Sequence, residues 1–439
     1  MTFQDLNLHE GILKALQEMG FVTPTPIQEQ AIPEILSGLD LRASAQTGTG
    51  KTAAFLLPAL NRLTVPSPTR SFGPRVLILV PTRELAMQVA EEATKYSRFL
   101  PRMKTVCIYG GAPYPIQNRE LSRPYEILVA TPGRLIDHME RGRIDFSRIE
   151  MLVLDEADRM LDMGFIDPVE KIAAALPKTR QTLMFSATLK GSVMKLSKSL
   201  LNNPIEISVT PDNAKHENIE QRLLNVDDMH HKQQLLNHLL NDPAVIQAII
   251  FTSTKRNADH LVDTLYESGF HVAALHGDMN QRQRTRTITQ LRDGQIRILV
   301  ATDVAARGID VQAISHVINY DLPNSAEDYV HRIGRTGRAG AKGIAMSFAA
   351  PRDMHLVKAI EQFTGQKIEV QVVAGMEPKF KPSARSPGSG SRRSGGYGRS
   401  EGRSGGYGRS DSRTGRRPSA RPGSSSDSRA PKRPASSWR

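Results

Sequence analysis

The sequence predicts an α/β protein with two tandem domains, each built on a parallel β-sheet, followed by a basic C-terminal tail. A chain of 439 residues is too long for one typical hydrophobic core, so two domains are expected. Short apolar runs alternate with helix-like segments through residues 30–205 and again through residues 219–375, which is typical of parallel sheets covered by helices on both faces. From residue 376 to residue 439 the composition changes to Gly, Ser, Arg and Pro.

The first domain begins with helix-like sequence and continues with strand-like runs. Residues 9–19 have helical apolar spacing, and the stretch GFVTPTPIQ at residues 20–28 places prolines before a further helical segment. The apolar runs that follow are VLILV (76–80), ILVA (127–130), MLVL (151–154) and TLMFSAT (182–188).

Short polar motifs directly follow three of these runs. PTRELA (81–86) follows the first run, TPGRL (131–135) follows the second, and DEAD (155–158) follows the third. Because ligands bind at the carboxyl ends of parallel strands, this repeated placement predicts a functional site at one edge of the sheet.

The second domain repeats the alternation after a polar, Pro-containing linker at residues 206–218. It has no phosphate loop of its own, but it carries the arginine-rich motif HRIGRTGR at residues 331–338. Its strand-like runs are AIIFTST (248–254), HVAALHG (271–277), IRILVATD (296–303), HVINYDLP (316–323) and GIAMSF (343–348).

The tail carries nearly all of the net charge of +13. From Met376 onward there are 16 Lys and Arg against 4 Asp and Glu, whereas the residues before it hold 42 basic and 41 acidic side chains. The low apolar content predicts a disordered segment, and SGGYGRS occurs twice, at residues 394–400 and 404–410. This asymmetry favours a basic arm for a polyanion, nucleic acid before membrane, while a purely solubilising tail remains the alternative.

Cysteine content and hydropathy favour a cytoplasmic protein without a membrane partner. The one cysteine, Cys107, cannot form an internal disulfide, and no Cys/His cluster has metal-ligand spacing. No apolar run approaches the roughly 18 residues needed to span a bilayer. The N-terminus lacks the basic region and apolar block of a secretory signal.

The stretch AQTGTGKT, residues 45–52, predicts a phosphate loop for a nucleoside triphosphate. Gly48 and Gly50 allow backbone N–H groups to point at an anion before a helix begins. Lys51 can reach the outer phosphates, and the Thr52 hydroxyl can bind Mg²⁺. Ala45 stands where the general pattern has glycine.

Acids and arginines elsewhere complete a candidate hydrolytic site. Asp155 and Glu156 end a strand-like run, where one acid can hold Mg²⁺ and the other can activate water. HRIGRTGR supplies Arg332, Arg335 and Arg338 as candidate arginine fingers, which would complete the site only when the domains close. A basic helical face is the alternative, weakened by the glycines of the motif.

A further candidate contact is to the base of the nucleotide. The Gln28 amide could read an adenine edge, although a Gln after Pro-Ile is more often a helix-start residue. Phe21 or Phe3 could stack on the base.

Taken together, these motifs resemble those of DEAD-box ATP-dependent RNA helicases, most closely the bacterial RhlE-like group. GFVTPTPIQ resembles the Q motif, and AQTGTGKT resembles motif I, whose Ala-first form is usual in that family. The resemblance implies two RecA-like domains. It assigns residues 1–29 to a Q-motif segment, 30–205 to the ATP-binding domain, 206–218 to a linker, 219–375 to the C-terminal helicase domain and 376–439 to the tail.

The resemblance also implies a role for each matching position. The ATP-binding residues would be Phe3, Phe21, Gln28, Ala45, Gln46, Thr47, Gly48, Thr49, Gly50, Lys51, Thr52 and Asp310. The catalytic residues would be Glu156, Lys51, Arg335 and Arg338. The Mg²⁺-binding residues would be Thr52 and Asp155. The residues that couple nucleotide state to domain closure would be Asp158, Ser186, Thr188 and His331. The RNA-binding residues would be Pro81, Thr82, Arg83, Gly110, Gly111, Thr131, Pro132, Gly133, Arg134, Arg284 and Thr302.

The implied activity is RNA-stimulated ATP hydrolysis that closes the two domains, separates short RNA duplexes and remodels ribonucleoproteins. Single-stranded RNA and short duplexes are the expected partners, with ribosomal or RNA-decay assemblies as candidates. A DNA helicase with the same motor remains open, as does a non-catalytic RNA-annealing protein, although intact Lys51, Glu156 and Arg335 argue against the latter. Two positions depart from the family pattern, Arg42 before the phosphate loop and Leu291 after the QRQR motif (281–284).

Overall fold

The structure is a computed structural model that describes residues 1–45, 48–189, 191–209, 218–306, 311, 314–337 and 341–379. Most of the predicted linker and nearly all of the predicted tail, residues 206–218 and 376–439, therefore lie outside the described residues.

The first sheet has seven parallel strands in the order β3-β4-β2-β5-β6-β1-β7. Its strands are β1 (Leu41–Ala45), β2 (Val76–Leu79), β3 (Thr105–Ile108), β4 (Ile127–Ala130), β5 (Met151–Leu154), β6 (Gln181–Ser186) and β7 (Ile205–Val209). The accompanying helices are α1 (Glu10–Glu18), α2 (Pro26–Leu36), α3 (Lys51–Leu63), α4 (Arg83–Tyr96), α5 (Tyr114–Leu121), α6 (Pro132–Glu140), α7 (Ala157–Asp162), α8 (Ile166–Ala174) and α9 (Ser192–Leu200), with a 3-10 turn at Phe3–Leu6.

The second sheet also has seven parallel strands, in the order β10-β11-β9-β12-β13-β8-β14. Its strands are β8 (Ile219–Asn225), β9 (Ala248–Phe251), β10 (Val272–Leu275), β11 (Ile298–Ala301), β12 (His316–Asn319), β13 (Gly343–Ala349) and β14 (Glu369–Val370). The helices are α10 (Met229–Leu240), α11 (Lys255–Glu267), α12 (Gln281–Arg292), α13 (Asp303–Ala306), α14 (Ala326–Ile333) and α15 (Met354–Thr364), with a 3-10 turn at Pro351–Asp353. When the strands of each sheet are numbered from one to seven along the chain, both sheets have the order 3-4-2-5-6-1-7. The same sheet topology therefore occurs twice.

Alternation along the central strands explains why both faces of each sheet are covered. In β2, Ile78 packs into one apolar cluster, whereas Leu77 and Leu79 pack into another on the opposite face. In β9, Ile250 and Ile249 divide between two clusters in the same way. These strands are buried throughout, which confirms the expected pair of α/β domains with parallel sheets.

The predicted linker begins inside a strand of the first sheet. β7 pairs in parallel with β1, so residues 206–209 belong to this sheet. Ile207 is buried in β7, whereas Glu206 and Ser208 are not, because an edge strand packs against the core with only part of its surface. The sequence of mixed polarity that results was divided by the prediction, which placed Ile205 in the first domain and residues 206–209 in the linker, whereas all five residues form β7.

The two departures from the family pattern have local structural explanations. Arg42 lies opposite Glu206 in the β1–β7 register, and its Nε donates to the Glu206 carboxylate at 2.9 Å. Leu291 is fully buried in the second domain, and its carbonyl accepts a 2.6 Å hydrogen bond from the Gln247 amide.

Across the part of the chain that the structure describes, no helix is both long and apolar enough to span a membrane.

Candidate active site

The phosphate loop joins β1 to α3. Gly48 and Gly50 have φ of +86° and +93°, the left-handed region that glycine adopts most readily. Lys51 begins α3, and its buried ammonium donates to the Ala45 carbonyl at 2.9 Å. The loop therefore ends at a helix N-terminus with a cation beside it, an arrangement that suits a phosphate group. Thr49 lies within the loop and Thr52 in the first turn of α3, while the predicted positions Gln46 and Thr47 lie outside the described residues.

Gln28 both starts a helix and contacts the phosphate loop. Its Oε1 accepts from the Thr25 backbone N–H at 3.0 Å, which is the helix-start role, with Pro26 in the first turn. Its Nε2 donates to the Gly50 carbonyl at 3.0 Å. A Cβ on Gly50 would run into this amide, so the close approach requires glycine. The loop and the Q-motif segment are thus joined directly.

The two candidate stacking residues lie in different environments. Phe3 is 5% exposed and packs in the core of the first domain, so its ring is not available to a base. Phe21 is 46% exposed, one residue after the glycine that ends the first helical segment. The structure therefore argues against Phe3 as a stacking residue and leaves Phe21 as the candidate.

Asp155 and Glu156 lie at the end of β5, in the same sheet as the phosphate loop. β6 lies between β5 and β1, and all three strands are parallel, so their carboxyl ends share one edge. Asp155 is 2% exposed, and its Oδ1 accepts from the Glu156 backbone N–H at 2.9 Å. Glu156 has φ of +52°, a left-handed conformation that is uncommon for a non-glycine residue and occurs at functional sites.

The Asp155 carboxyl is poorly stabilised as an anion. Burial raises its pKa to about 6, and the charge of Glu156 also raises it, whereas Lys51 lowers it. A buried carboxyl of this kind accommodates its charge when a cation binds next to it. The Asp155 carboxyl and the Thr52 hydroxyl offer oxygen atoms, which Mg²⁺ prefers, so their chemistry fits a magnesium ion.

The last acid of the DEAD motif is hydrogen-bonded to the predicted coupling motif. Asp158 Oδ2 accepts from the backbone N–H groups of Ala187 and Thr188, at 3.0 and 3.2 Å. The Ser186 hydroxyl donates to the Thr188 carbonyl at 2.7 Å. These bonds connect the ends of β5 and β6, so a displacement at the acids can be transmitted to residues 186–188.

The arginines of HRIGRTGR have different environments. Arg332 is buried and donates to Asp303 at 2.6 and 2.7 Å, so it stabilises the second domain internally and is not available as a finger. Arg335 is also mostly buried, and its Nε donates to the carbonyl of half-buried His331 at 3.2 Å. Predicted positions Arg338 and Asp310 lie outside the described residues.

Among the residues that the structure describes, three polar contacts join the two domains. Arg284 of α12 forms a buried ion pair with Glu84 of α4, with a shortest N–O distance of 2.7 Å. Arg83 donates to the Gln281 side chain at 3.3 Å. Both contacts lie between the PTRELA motif and the QRQR motif.

The third contact lies next to the candidate hydrolytic residues. Arg159, directly after the DEAD motif, forms a 2.6 Å ion pair with Asp328 of α14 and a second ion pair with Asp162. α14 also carries His331, and Arg335 follows its end. The pair therefore links the helix after the acids to the helix of the candidate finger.

The predicted RNA-binding residues belong to both domains, and several of them are engaged by protein partners. Thr82 caps α4 and accepts from the Leu85 N–H, and Thr131 precedes α6. Arg134 is mostly buried and donates to the Ala112 carbonyl at 2.9 Å. Arg284 is held by Glu84, so it contributes to domain contact in this arrangement. The remaining positions are the buried Pro81 and Pro132, the half-buried Gly110 and Thr302, and the exposed Gly111 and Gly133.

Sequence reasoning missed the interdomain partners. Glu84 and Gln281 lie inside motifs but were not assigned a role, and Arg159 and Asp328 lie just outside the quoted motifs. No periodicity or spacing indicates that residues about 170 to 200 positions apart pair with each other. The only sequence signal that could have indicated these pairs is that residues of opposite charge lie in or beside motifs predicted to form the same site.

The fold and the site define a protein with two tandem RecA-like domains and one phosphate loop. Residues 25–196 match the DEAD/DEAH box helicase family, and residues 231–340 match the helicase conserved C-terminal domain. The chain belongs to the DEAD/DEAH box helicase family.

Relatives and a solved structure agree with this assignment. The chain is 47% identical over 367 residues to ATP-dependent RNA helicase DeaD of Mycobacterium tuberculosis, covering 84% of this chain and 64% of that relative. It is 44% identical to ATP-dependent RNA helicase SrmB of Haemophilus influenzae, covering 87% of each chain. The structure of S. cerevisiae Dbp5 bound to RNA and ADP BeF3 is similar with a TM-score of 0.77 and 34% identity, covering 85% of this chain and 95% of Dbp5. The region matched to DeaD spans just under two thirds of the length of that relative.

Proposed function

We propose that this protein is an ATP-dependent RNA helicase, in which RNA-stimulated ATP hydrolysis drives closure of the two domains and local separation of short RNA duplexes. The observation that carries the proposal is the meeting of Lys51, Asp155 and Glu156 at one sheet edge, with the Arg159–Asp328 pair tying that edge to the helix before Arg335. The similarity to DeaD, SrmB and RNA-bound Dbp5 supports the same activity.

ATP would be held by the phosphate loop and the Q-motif segment. Lys51 would release the Ala45 carbonyl and bind the outer phosphates, while backbone N–H groups after Gly48 orient them. Gln28 and Phe21 would contact adenine by hydrogen bonding and stacking. Mg²⁺, held by Thr52 and Asp155, would supply a charge that neutralises the phosphates.

Hydrolysis would use groups from both domains. Glu156 would accept the proton of the attacking water, and Arg335 would stabilise the charge that develops on the transferred phosphoryl group. Asp158, Ser186, Thr188 and His331 would connect these groups to domain closure. Closure brings Arg335 to the nucleotide, so the rate would depend on the population of closed molecules.

RNA would bind along the motifs PTRELA, Gly110–Gly111 and TPGRL of the first domain and QRQR of the second. Binding across both domains would stabilise the closed state, and by linkage ATP would tighten RNA binding. Contacts to ribose 2′-OH groups would distinguish RNA from DNA. Ribosomal or RNA-decay assemblies are candidate sources of this RNA.

The test is steady-state ATPase activity with matched RNA and DNA oligonucleotides, for the native chain and for Glu156→Gln. We expect RNA to stimulate hydrolysis more than DNA does. We expect Glu156→Gln to lower turnover by about 10²-fold or more while nucleotide binding persists, because the substitution removes the base but keeps the shape of the side chain.

Glu91→Gln is a matched control, since Glu91 is an exposed helix residue paired with Lys95. Equal stimulation by DNA would favour a DNA motor instead. Near-normal turnover of Glu156→Gln would contradict the assignment of Glu156 as the general base. RNA annealing without nucleotide hydrolysis would support the binding-protein alternative.

A further inference from the structure

We propose that Tyr114 and Arg141, together with Arg134, form a phosphate-binding site that extends the RNA path on the first domain beyond the TPGRL motif. The proposal rests on the proposed function, since the ligand is the backbone of single-stranded RNA. Of these three residues, sequence reasoning identified Arg134 alone.

The site is built around the Tyr114 ring, in the first turn of α5. The guanidinium carbons of Arg134 and Arg141 lie 4.2 and 4.5 Å from the ring centroid, within the range of a cation–π interaction. The Tyr114 hydroxyl donates to Asp137 at 2.9 Å, which fixes the ring on α6. The two arginines are thus held close together despite their like charges.

The geometry leaves Arg141 as the cation able to meet a phosphate. Arg134 is mostly buried and donates to the Ala112 carbonyl, so it supports the loop after Gly110–Gly111. Arg83 and Arg284 are engaged at the domain contact. Arg141 ends α6 and is exposed, and its planar group is oriented by the ring rather than left to rotate in solvent.

Electrostatics around this cluster are positive. His138, fully buried on the same helix, has a lowered pKa because of burial first and then the charge of Arg134; Asp137 raises the pKa, and Arg141 and Arg143 lower it further. Among the nearby acids, Asp137 accepts from Tyr114 and pairs with Arg134 at 3.6 Å, and Glu140 pairs with Lys171 at 2.7 Å. An anion at this surface would therefore be attracted by more cations than acids.

The cluster is continuous with the candidate RNA path. Arg134 belongs to TPGRL, and the carbonyl that it binds follows Gly111 directly. A Cβ on Gly111 would run into the Arg83 guanidinium, so the glycine pair is packed against the PTRELA motif. An RNA backbone that follows these motifs would reach Arg141 next to Arg134, because both guanidinium groups lie against the Tyr114 ring.

The experiment measures affinity of the full chain for a single-stranded RNA oligonucleotide, with a non-hydrolysable ATP analogue, across a salt series. Each phosphate neutralised on a single strand contributes about 0.7 to the slope of log affinity against log salt. We expect Arg141→Ala to make the slope shallower by about 0.7 and to weaken binding most at low salt. Arg141→Lys keeps the charge and should restore most of the slope. Tyr114→Leu removes the supporting ring and should weaken binding in the same direction as Arg141→Ala.

Arg352→Ala is the matched control, because Arg352 is 85% exposed and lies in the second domain. If the native chain binds no RNA, the proposed function fails. If the native chain binds RNA but Arg141→Ala keeps the native slope, or if Arg352→Ala lowers the slope equally, the phosphate site is excluded while the proposed function stands. A melting temperature within the native range for each variant shows that the comparison concerns folded protein.

Discussion

At the scale of single residues, the role proposed for Asp155 opposes the stability of the fold. Its carboxyl is buried beside another acid, and Lys51 compensates only in part. Replacing a buried charge by a neutral side chain of the same shape removes the cost of desolvating that charge. The residue is therefore expected to lower the stability of the nucleotide-free protein at neutral pH.

We predict that Asp155→Asn stabilises the nucleotide-free protein above pH 6 and abolishes ATPase activity. The folded-state pKa is raised from 3.8 to about 6, so the stabilising protonated form is fully present below pH 3.8 and is lost as the pH rises through 6. This difference corresponds to about 3 kcal/mol. Urea denaturation of both proteins, below pH 4 and above pH 6 in nucleotide-free buffer, should show the variant gaining stability over the native chain only at the higher pH.

Asp145→Asn is a control of opposite sign. The pKa of Asp145 is lowered, mainly by its hydrogen bond with Ser71, so the ionised form is the stabilising one. Its substitution should cost stability at neutral pH. A less stable Asp155→Asn protein at every pH would contradict the account of Asp155.

Individual residues also mark how far sequence reasoning extends. Lys51, Asp155 and Glu156 could be predicted as site residues because the chemistry expected of them depends on local motifs at strand ends. Arg332 and Phe3 were misjudged as candidate site residues because their partners, Asp303 and the N-terminal core, lie in other elements. A motif shows which residue types are present, whereas burial determines which of those side chains remain available to a ligand.

At the scale of elements, the decisive contact is between α7 and α14. Arg159 is 3% exposed on its side chain and pairs with Asp328, three residues before His331. Breaking a buried ion pair leaves an uncompensated charge and typically costs about 3–5 kcal/mol. The pair therefore stabilises the arrangement in which the two domains meet.

We predict that Arg159→Asp and Asp328→Arg each reduce RNA-stimulated ATPase and the tightening of RNA binding by ATP analogues, and that the double variant recovers part of both. The double variant restores opposite charges across the contact, and Asp162 can pair with the new arginine. The measurement is a double-mutant cycle on RNA affinity with and without the analogue.

Reversal of the Arg98–Glu18 pair is the control, since it is exposed and lies within the first domain. Exposed pairs contribute about 0–1 kcal/mol, so this reversal should leave coupling unchanged. Additive effects of Arg159→Asp and Asp328→Arg would show that the two side chains do not act together.

Elements differ in how well the sequence predicts them. Central strands such as β2 and β5 are buried on both faces and appear as apolar runs. The edge strand β7 was missed because a partly covered strand has mixed polarity. β3 was missed as well, since the four-residue run TVCI combines polar and apolar side chains. β1, β8 and β14 also have no counterpart among the apolar runs. β3, β7 and β14 lie at sheet edges, whereas β1 and β8 lie inside their sheets, so an edge position explains only part of what the sequence missed.

At the scale of the whole molecule, one sheet order occurs twice, but only the first copy has a phosphate loop. The sequence predicts both copies because each repeats the same alternation of strands and helices. It does not predict the contacts between them, because those depend on a few charged residues without periodicity, such as Glu84 and Arg284. In the proposed function, catalysis is divided between the two copies, so hydrolysis would depend on their association.

The last prediction concerns residues 383–439, which contain 14 Lys and Arg against 3 Asp and Glu. We predict that deleting them makes the salt dependence of RNA affinity shallower, by about 0.7 for each phosphate that they neutralise. Deletion should begin after Pro382, because the Lys379 N–H donates to Asp227 and the Met376 carbonyl contacts His231. Tyr397 and Tyr407 add rings that can stack on unpaired bases.

Turnover at saturating RNA should change little, since every proposed catalytic residue lies before Gly340. A variant with a Gly/Ser segment of the same length separates charge from chain length. If the basic side chains of residues 383–439 bind RNA, this variant should behave like the deletion when RNA affinity is measured across a salt series. If the segment only keeps the protein in solution, both altered chains should retain the native slope and differ from the native chain in solubility, because affinity for RNA would then depend on the two domains alone.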